Sequence, residues 1–325
     1  ERNDIRDRLF FAIVLCDIFS ETLGSKIMTL PIGLENKEVY LQWREEKLAD
    51  YPSDSPALTV NLETPGQPNP QQIEALKALC RKTNMAIYAG PEAIVEDKNI
   101  AINLGAALGL KQVDRSLTTE DDGVSELSVA IGGEKSAYIP YTDRSLGWHT
   151  DGCYNDADHL INGFLLHCVR AAPEGGENYL LDPEIAYILL RDENPDFIDG
   201  LMLVDALSIP ANIENDKVIR AEQSGPALSI DPDTQALHLR YTGRKTYVTW
   251  RDDPRLQEAL AFLKDAFNEQ NQYIFKVKLK PGSGLIGNNV LHNRTKFVDG
   301  DAADDKRLIY RIYYHDRITT ALNNN

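Results

Sequence analysis

His149, Thr150 and Asp151 form a His-x-Asp, and 141 residues after Asp151 stands His292, in the string Val290-Leu291-His292-Asn293-Arg294. For these three side chains to act together, the fold must carry the chain away and return it to the same few ångströms. In a strand, residues i and i+2 project to one side, so the spacing lets His149 and Asp151 converge on one ion. His292 then has to arrive on a separate strand, which a closed or sandwiched β architecture supplies. Two imidazoles and one carboxylate occupy one face of an octahedral metal and leave three positions open. That donor set suits a non-haem Fe(II) that binds a chelating co-substrate together with O2.

A second constraint lies in Lys306-Arg307-Leu308-Ile309-Tyr310-Arg311. On a strand, Arg307, Ile309, Arg311 and Tyr313 share one face, and Leu308, Tyr310, Ile312 and Tyr314 share the other. Two arginines inside a β core are costly unless each meets an anion. Guanidinium suits that role because it pairs bidentately with a planar carboxylate. The competing reading is ion pairing to Asp304 or Asp305.

Trp148-His149-Thr150-Asp151-Gly152, Pro173-Glu174-Gly175-Gly176-Glu177-Asn178, the distal His292 and Arg307-x-x-x-Arg311 occur in this order. Together they resemble the taurine dioxygenase / 2,4-D dioxygenase-like (TauD/TfdA-like) family of Fe(II)- and 2-oxoglutarate-dependent oxygenases, over roughly residues 55–318. The stretch His292-Asn-Arg-Thr-Lys-Phe297 is also similar to the His-x-Arg-x-x-Phe of the clavaminate synthase and γ-butyrobetaine hydroxylase branches. The resemblance implies His149, Asp151 and His292 as ligands of Fe(II), with 2-oxoglutarate as co-substrate and O2 as oxidant. It implies that Arg307 grips the distal carboxylate of 2-oxoglutarate and that Arg311 reaches an acidic group of the substrate. Asn178 stands where the taurine dioxygenase pattern has a hydroxyl residue, and an amide can donate to the same carboxylate.

Arg294 follows His292 by two, on the same strand face, and contacts the co-substrate carboxylate, closes the pocket or forms a structural ion pair. Tyr138, Tyr141 and Arg144 precede the metal strand on a loop, a common carrier of specificity; Tyr141 and Arg144 are taken as substrate-side candidates. Arg240-Tyr241-Thr242-Gly243-Arg244 is a candidate pocket rim. Trp148 reads as packing, and His159, His167, His238 and His315 as ordinary histidines. By resemblance the reaction is oxidation, foremost hydroxylation, of an unactivated C–H of a small anionic or zwitterionic metabolite with release of succinate and CO2. The carboxylate Asp151 favours oxygenation over halogenation. Desaturation or ring closure by a relative of the same family, a non-catalytic metal-binding jelly roll and a zinc hydrolase are the other readings.

A net charge of −16 disfavours nucleic-acid and anionic-membrane partners, and it means that an anionic small-molecule substrate needs a local basic pocket. Four cysteines without metal-ligand spacing point to a reducing cytoplasm. The apolar run over residues 9–16 is too short to span a bilayer and reads as a buried helix. A homo-oligomer is left open.

Residues 1–55 read as an N-terminal extension packed on the core, with a helix over 5–21 and a strand over 39–43. Residues 56–325 read as the oxygenase domain. Strands are expected at 57–61, 85–88, 125–131, 162–169, 178–181, 275–279, 285–291 and 307–314. Helices are expected at 70–83 (capped by Asn69), 99–108 (ended by Gly109), 183–191 and 254–271 (capped by Asp253). Short strands with helical insertions predict a mostly β fold with flanking helices (α+β), a double-stranded β-helix of the jelly-roll, cupin-like kind.

Overall fold

The computed structural model describes Leu34 and residues 36–115, 119–214, 216–231, 234–244 and 248–318. The helix expected over residues 5–21 lies outside these. The chain divides into two compact units, Glu1–Glu46 and Lys47–Asn325. Where a strand is expected over 39–43, the chain is helical, Lys37–Leu48 (α1). The alternation there is short, and the surrounding Glu, Lys, Leu, Gln and Arg are strong helix formers. The Asn36 side chain also accepts from the N–H groups of Glu38 and Val39, a capping arrangement that a strand would not offer.

The second unit opens with β1 (Thr59–Asn61), α2 (Pro70–Thr83), β2 (Met85–Ala89), α3 (Asn99–Ala107) and β3 (Ser125–Leu127). Then come β4 (Leu146–His149), β5 (Gly163–Arg170), β6 (Asn178–Leu181), α4 (Pro183–Glu193) and α5 (Asp196–Leu201). Short strands over residues 207–250 form an insertion before α6 (Pro254–Ala266). The chain closes with β7 (Phe275–Val277), β8 (Ser283–Gly287), β9 (Leu291–Arg294) and β10 (Leu308–Tyr314). Among the described residues no helix is long and apolar enough to cross a membrane.

Six strands pair in the order β1-β2-β8-β5-β10-β3 and four in the order β7-β6-β9-β4. One apolar cluster sets Leu76 and Cys80 of α2 and Leu104 of α3 against Leu165, Ile286, Tyr310 and Ile312 of the larger sheet. A second joins Phe164, Leu166, Leu285 and Ile309 of the larger sheet to Leu180, Phe275 and Val277 of the smaller. The larger sheet is therefore covered on both faces, which is why every residue of β10 is buried. The predicted parity holds: Leu308, Tyr310, Ile312 and Tyr314 face the helices, and Ile309 and Tyr313 face the other sheet.

The caps at Asn69 and Asp253 form, and Gly109 ends α3 at φ +94°. Three boundaries differ most from expectation. β3 stops at Leu127, leaving Val129 and Ile131 exposed. α6 stops at Ala266 rather than 271, because Asn268 and Asn271 donate side-chain hydrogen bonds to the carbonyls of Asp265 and Ala266. The run over 285–291 is two strands in different sheets, with Asn289 at φ +51° between them. Asn tolerates that left-handed conformation, and the chain turns there from one sheet to the other.

Candidate active site

Asp151 does not lie on a strand. β4 ends at His149, and Asp151 enters a turn that Gly152 completes at φ +67°. A Cβ on Gly152 would come within 2.3 Å of the Ile161 side chain, so the turn is as tight as glycine permits. The same-face argument from strand spacing thus gives way to a turn, whose position is fixed from across the fold. The Asn289 side-chain oxygen accepts from the Asp151 N–H at 2.7 Å, and its amide donates to the carbonyls of Asp151 at 3.0 Å and Ile161 at 2.7 Å.

His292 comes from β9, directly opposite His149 on β4. His149 Nε2 lies 3.6 Å from Asp151 Oδ1, and His292 Nε2 lies 3.7 Å from Asp151 Oδ2. One ligand atom from each residue falls within 4.8 Å of the others. Each imidazole has Nδ1 2.9 Å from a backbone carbonyl two residues earlier, Gly147 for His149 and Val290 for His292. A proton held at Nδ1 leaves the Nε2 lone pair directed at the shared space, the tautomer a metal needs.

Burial pushes the His292 imidazole down to about 4, helped by neighbouring His149. Burial acts the other way on Asp151, but His292, His149 and Arg311 outweigh it and hold the carboxyl well below the usual range. The site therefore presents a neutral imidazole and a carboxylate at neutral pH, the protonation state required for ligation. Two further contacts steady it. The Tyr313 hydroxyl donates to Asp151 Oδ1 at 2.5 Å, and the Phe164 ring stacks 5.3 Å from His292. Neither contact was anticipated, and nor was Asn289; Tyr313 alone had a signal, its place on the arginine face of β10.

The arginines divide sharply. Arg307 lines a small cavity with Asn178, Cys168, Gly175, Leu279 and Ile309. It is 6% exposed and makes no ion pair to Asp304 or Asp305 among the described residues, and its buried Nη1 has no hydrogen-bond partner. Burial lowers it to about 10. A buried cation with a vacant donor is a strong signal of a missing anion, and the donor set fits one carboxylate. Arg311 lies among Tyr313, Asp151, Tyr141 and Tyr154, with its guanidinium 4.2 Å over the Tyr313 ring and its Nε unpartnered.

Arg294 is turned elsewhere. Its terminal nitrogens donate to the carbonyls of Pro140, Thr142 and Arg144, which ties down the loop before β4. Only its Nε remains unpartnered. Tyr141 is 2% exposed and packs in the inter-sheet core, while the Arg144 side chain is exposed and donates through Nε to the Thr142 hydroxyl at 3.5 Å. Trp148 stacks on Phe267 at 4.7 Å, on the side away from the ligands, as expected.

The model of the taurine catabolism dioxygenase TauD, TfdA family matches residues 46–313. A uridine-5'-phosphate dioxygenase from an Amycolatopsis species is 32% identical over 173 residues, covering 51% of this chain and 60% of that protein. A Streptomyces protein of the same name is 27% identical over 190 residues, 56% of this chain and 67% of the relative. Among solved structures, an asparagine oxygenase crystallised with Fe(II), hydroxyasparagine and succinate gives a TM-score of 0.53 at 15% identity, covering 79% of this chain and 93% of that one. A taurine dioxygenase from Burkholderia xenovorans gives 0.52 at 16% identity, covering 81% and 87%. At such identities the solved structures speak for the fold. The chain belongs to the taurine catabolism dioxygenase TauD, TfdA family.

Proposed function

We propose that this protein oxidises, foremost by hydroxylation, an unactivated C–H of a small anionic metabolite, converting 2-oxoglutarate to succinate and CO2. The observation that carries the reading is the pairing of two features. Three ligand atoms converge, with each imidazole's Nδ1 beside a backbone carbonyl, and a buried arginine with an unpartnered donor lines a cavity just before β10. In this reading His149, Asp151 and His292 hold Fe(II). When bound, the metal supplies the redox chemistry and the coordination sites for 2-oxoglutarate and O2.

The chain's own contribution is placement. Arg307 pairs with the distal carboxylate of 2-oxoglutarate, Asn178 donates to it from β6, and the apolar walls exclude water. Arg294 supports the loop that carries Tyr141 and Arg144. Arg311, beside Asp151, faces the substrate. The two facing sheets are read as the double-stranded β-helix, and residues 1–55 as an extension to the oxygenase domain in a cytoplasmic enzyme. The relatives named as uridine-5'-phosphate dioxygenases make nucleoside 5'-phosphates the first substrate class to test.

The test is anaerobic addition of Fe(II) and 2-oxoglutarate, followed by a succinate-release screen over nucleotides, amino acids, sulfonates and carboxylates. A visible charge-transfer band and substrate-dependent succinate support the reading. A chain that binds Fe(II) without the band on adding 2-oxoglutarate sinks it.

A further inference from the structure

The segment Arg240-Tyr241-Thr242-Gly243-Arg244 lies antiparallel against the end of the metal strand. Thr242 bridges to His149. The Thr150 N–H donates to the Tyr241 carbonyl at 2.9 Å, and the Gly243 N–H to the Trp148 carbonyl at 2.9 Å. Directly opposed residues of an antiparallel pair project to the same side, so Thr242 shares the side of His149. Tyr241 takes the other side: its ring and that of Trp148 both pack on Phe267, at 5.3 and 4.7 Å. Arg240 and Arg244 stand two residues to either side of Thr242, whose segment forms one isolated bridge rather than a strand, and Arg240 reaches the turn that carries Asp151 through the Cys153 carbonyl.

Arg240 is 7% exposed. Its Nη2 donates to the Cys153 carbonyl at 2.6 Å, its buried Nε has no partner, and no carboxylate pairs with it among the described residues. Burial lowers its pKa, opposed only by the neighbouring Cys153 thiol. Arg244 is half-buried, and its guanidinium makes no ion pair among the described residues. Both bear on Cys153, two residues past Asp151. Arg311 reaches the neighbouring Tyr154, over whose ring Arg220 sits at 6.0 Å. A chain of net charge −16 has gathered arginines at one place.

Charge decides which ligand would match them. A ferrous ion, Asp151, a dicarboxylate and Arg307 cancel. Arg240, Arg244 and Arg311 then remain, and Asp114, which also acts on Tyr154, offsets one of them. With Arg220 also over Tyr154 the excess is at least two positive charges, which matches a phosphate monoester: it carries about −1.5 to −2 at neutral pH and offers three terminal oxygens. A single carboxylate would leave a buried guanidinium uncompensated. We propose that Arg240 and Arg244, with Arg311, form a subsite for a phosphate monoester group of the substrate beside the metal triad. This rests on the oxygenase reading of the same site.

The experiment is calorimetric titration of the anaerobic Fe(II)/2-oxoglutarate complex with uridine 5'-monophosphate, ribose 5-phosphate and uridine, while the visible band is followed. At least one monoester is expected to bind roughly tenfold or more tightly than uridine, the scale of one charge-assisted contact. Arg244→Gln and Arg240→Gln should each remove roughly that factor, with the band unchanged. Arg240→Lys should fall between, and Arg255→Gln, on α6 and paired with Asp253, should bind as wild type. If Arg240→Gln fails to fold, the half-buried Arg244 carries the test. Unchanged monoester affinity in Arg244→Gln overturns the subsite, as does a normal wild-type band with no monoester binding. Absence of the band in the wild-type complex overturns the oxygenase reading and the subsite with it.

Discussion

Arg307 and Arg311 stand four residues apart, the first just before β10 and the second within it, yet their surroundings differ in kind. Arg307 lines a small cavity with no ion-paired acid among the described residues, and burial pulls its pKa down against weaker opposition from Cys168 and Asp299. Arg311 is surrounded by the Asp151 carboxylate and three tyrosines, which together push its pKa up against burial. The first is a cation awaiting an anion; the second is already partly compensated by the protein. A short spacing and a shared residue type therefore do not imply a shared role. Arg307 should be decisive for one small dianion, while Arg311 should act on both the metal carboxylate and whatever approaches it.

The iron is the element both halves depend on, so the largest effect should come from removing it. His292→Ala or Asp151→Ala should cut substrate-dependent succinate release by more than about 100-fold, beyond what loss of an outer hydrogen-bond partner costs. Near-normal release from either variant would detach the two arginines from a common metal. Next comes Arg307→Ala. It should weaken 2-oxoglutarate binding by about 2–5 kcal/mol, the cost of breaking a buried charge pair, and Lys should restore only part because it lacks the forked geometry. A titration of the visible band against 2-oxoglutarate measures this. An unchanged midpoint would place the co-substrate elsewhere and leave the vacant Nη1 unexplained.

Smaller again is Tyr313→Phe. It removes the hydroxyl on Asp151 Oδ1 without changing the ring that packs between the sheets. Fe(II) affinity should fall about 10- to 100-fold, as for other outer-sphere partners, while thermal stability changes little. Equal metal affinity in the two proteins would reduce the contact to packing.

Much of this site was legible because its signals are local. The ligands, the arginine spacing and the parity of β10 follow from residue type and a two-residue period. What escaped depends on partners distant in sequence. Asp151 is positioned by Asn289, 138 residues later, and nothing in Asn288-Asn289 says that an amide will reach across the fold to a turn. Arg294 reads as a pocket residue from its place after His292, yet its nitrogens reach the carbonyls of residues about 150 positions earlier. The helix over Lys37–Leu48 was missed for a different reason: a few alternating apolar residues resemble a strand, although helix formers surround them.

The smallest effect separates the two arginines most cleanly, because it concerns pH rather than affinity. Fe(II) needs Asp151 ionised and His292 neutral, so protons compete with it from the acid side. The Asp151 carboxyl is depressed, so its favourable contribution is present above its ordinary pKa and fades as pH falls through the lowered one. His292 is also depressed, to about 4, so its protonation likewise begins to compete only well below neutrality. Arg311 contributes to both shifts in the same direction, though in each case it ranks behind burial and the other members of the triad. Removing its charge with Arg311→Gln should raise both pKa values, and the acid limb of anaerobic Fe(II) binding should move up by a fraction of a pH unit. Arg307→Gln, whose charge is not among the main influences on either ligand, should leave the limb in place. If the two variants shift the limb equally, the contrast between the arginines is one of cavity shape and not of electrostatics.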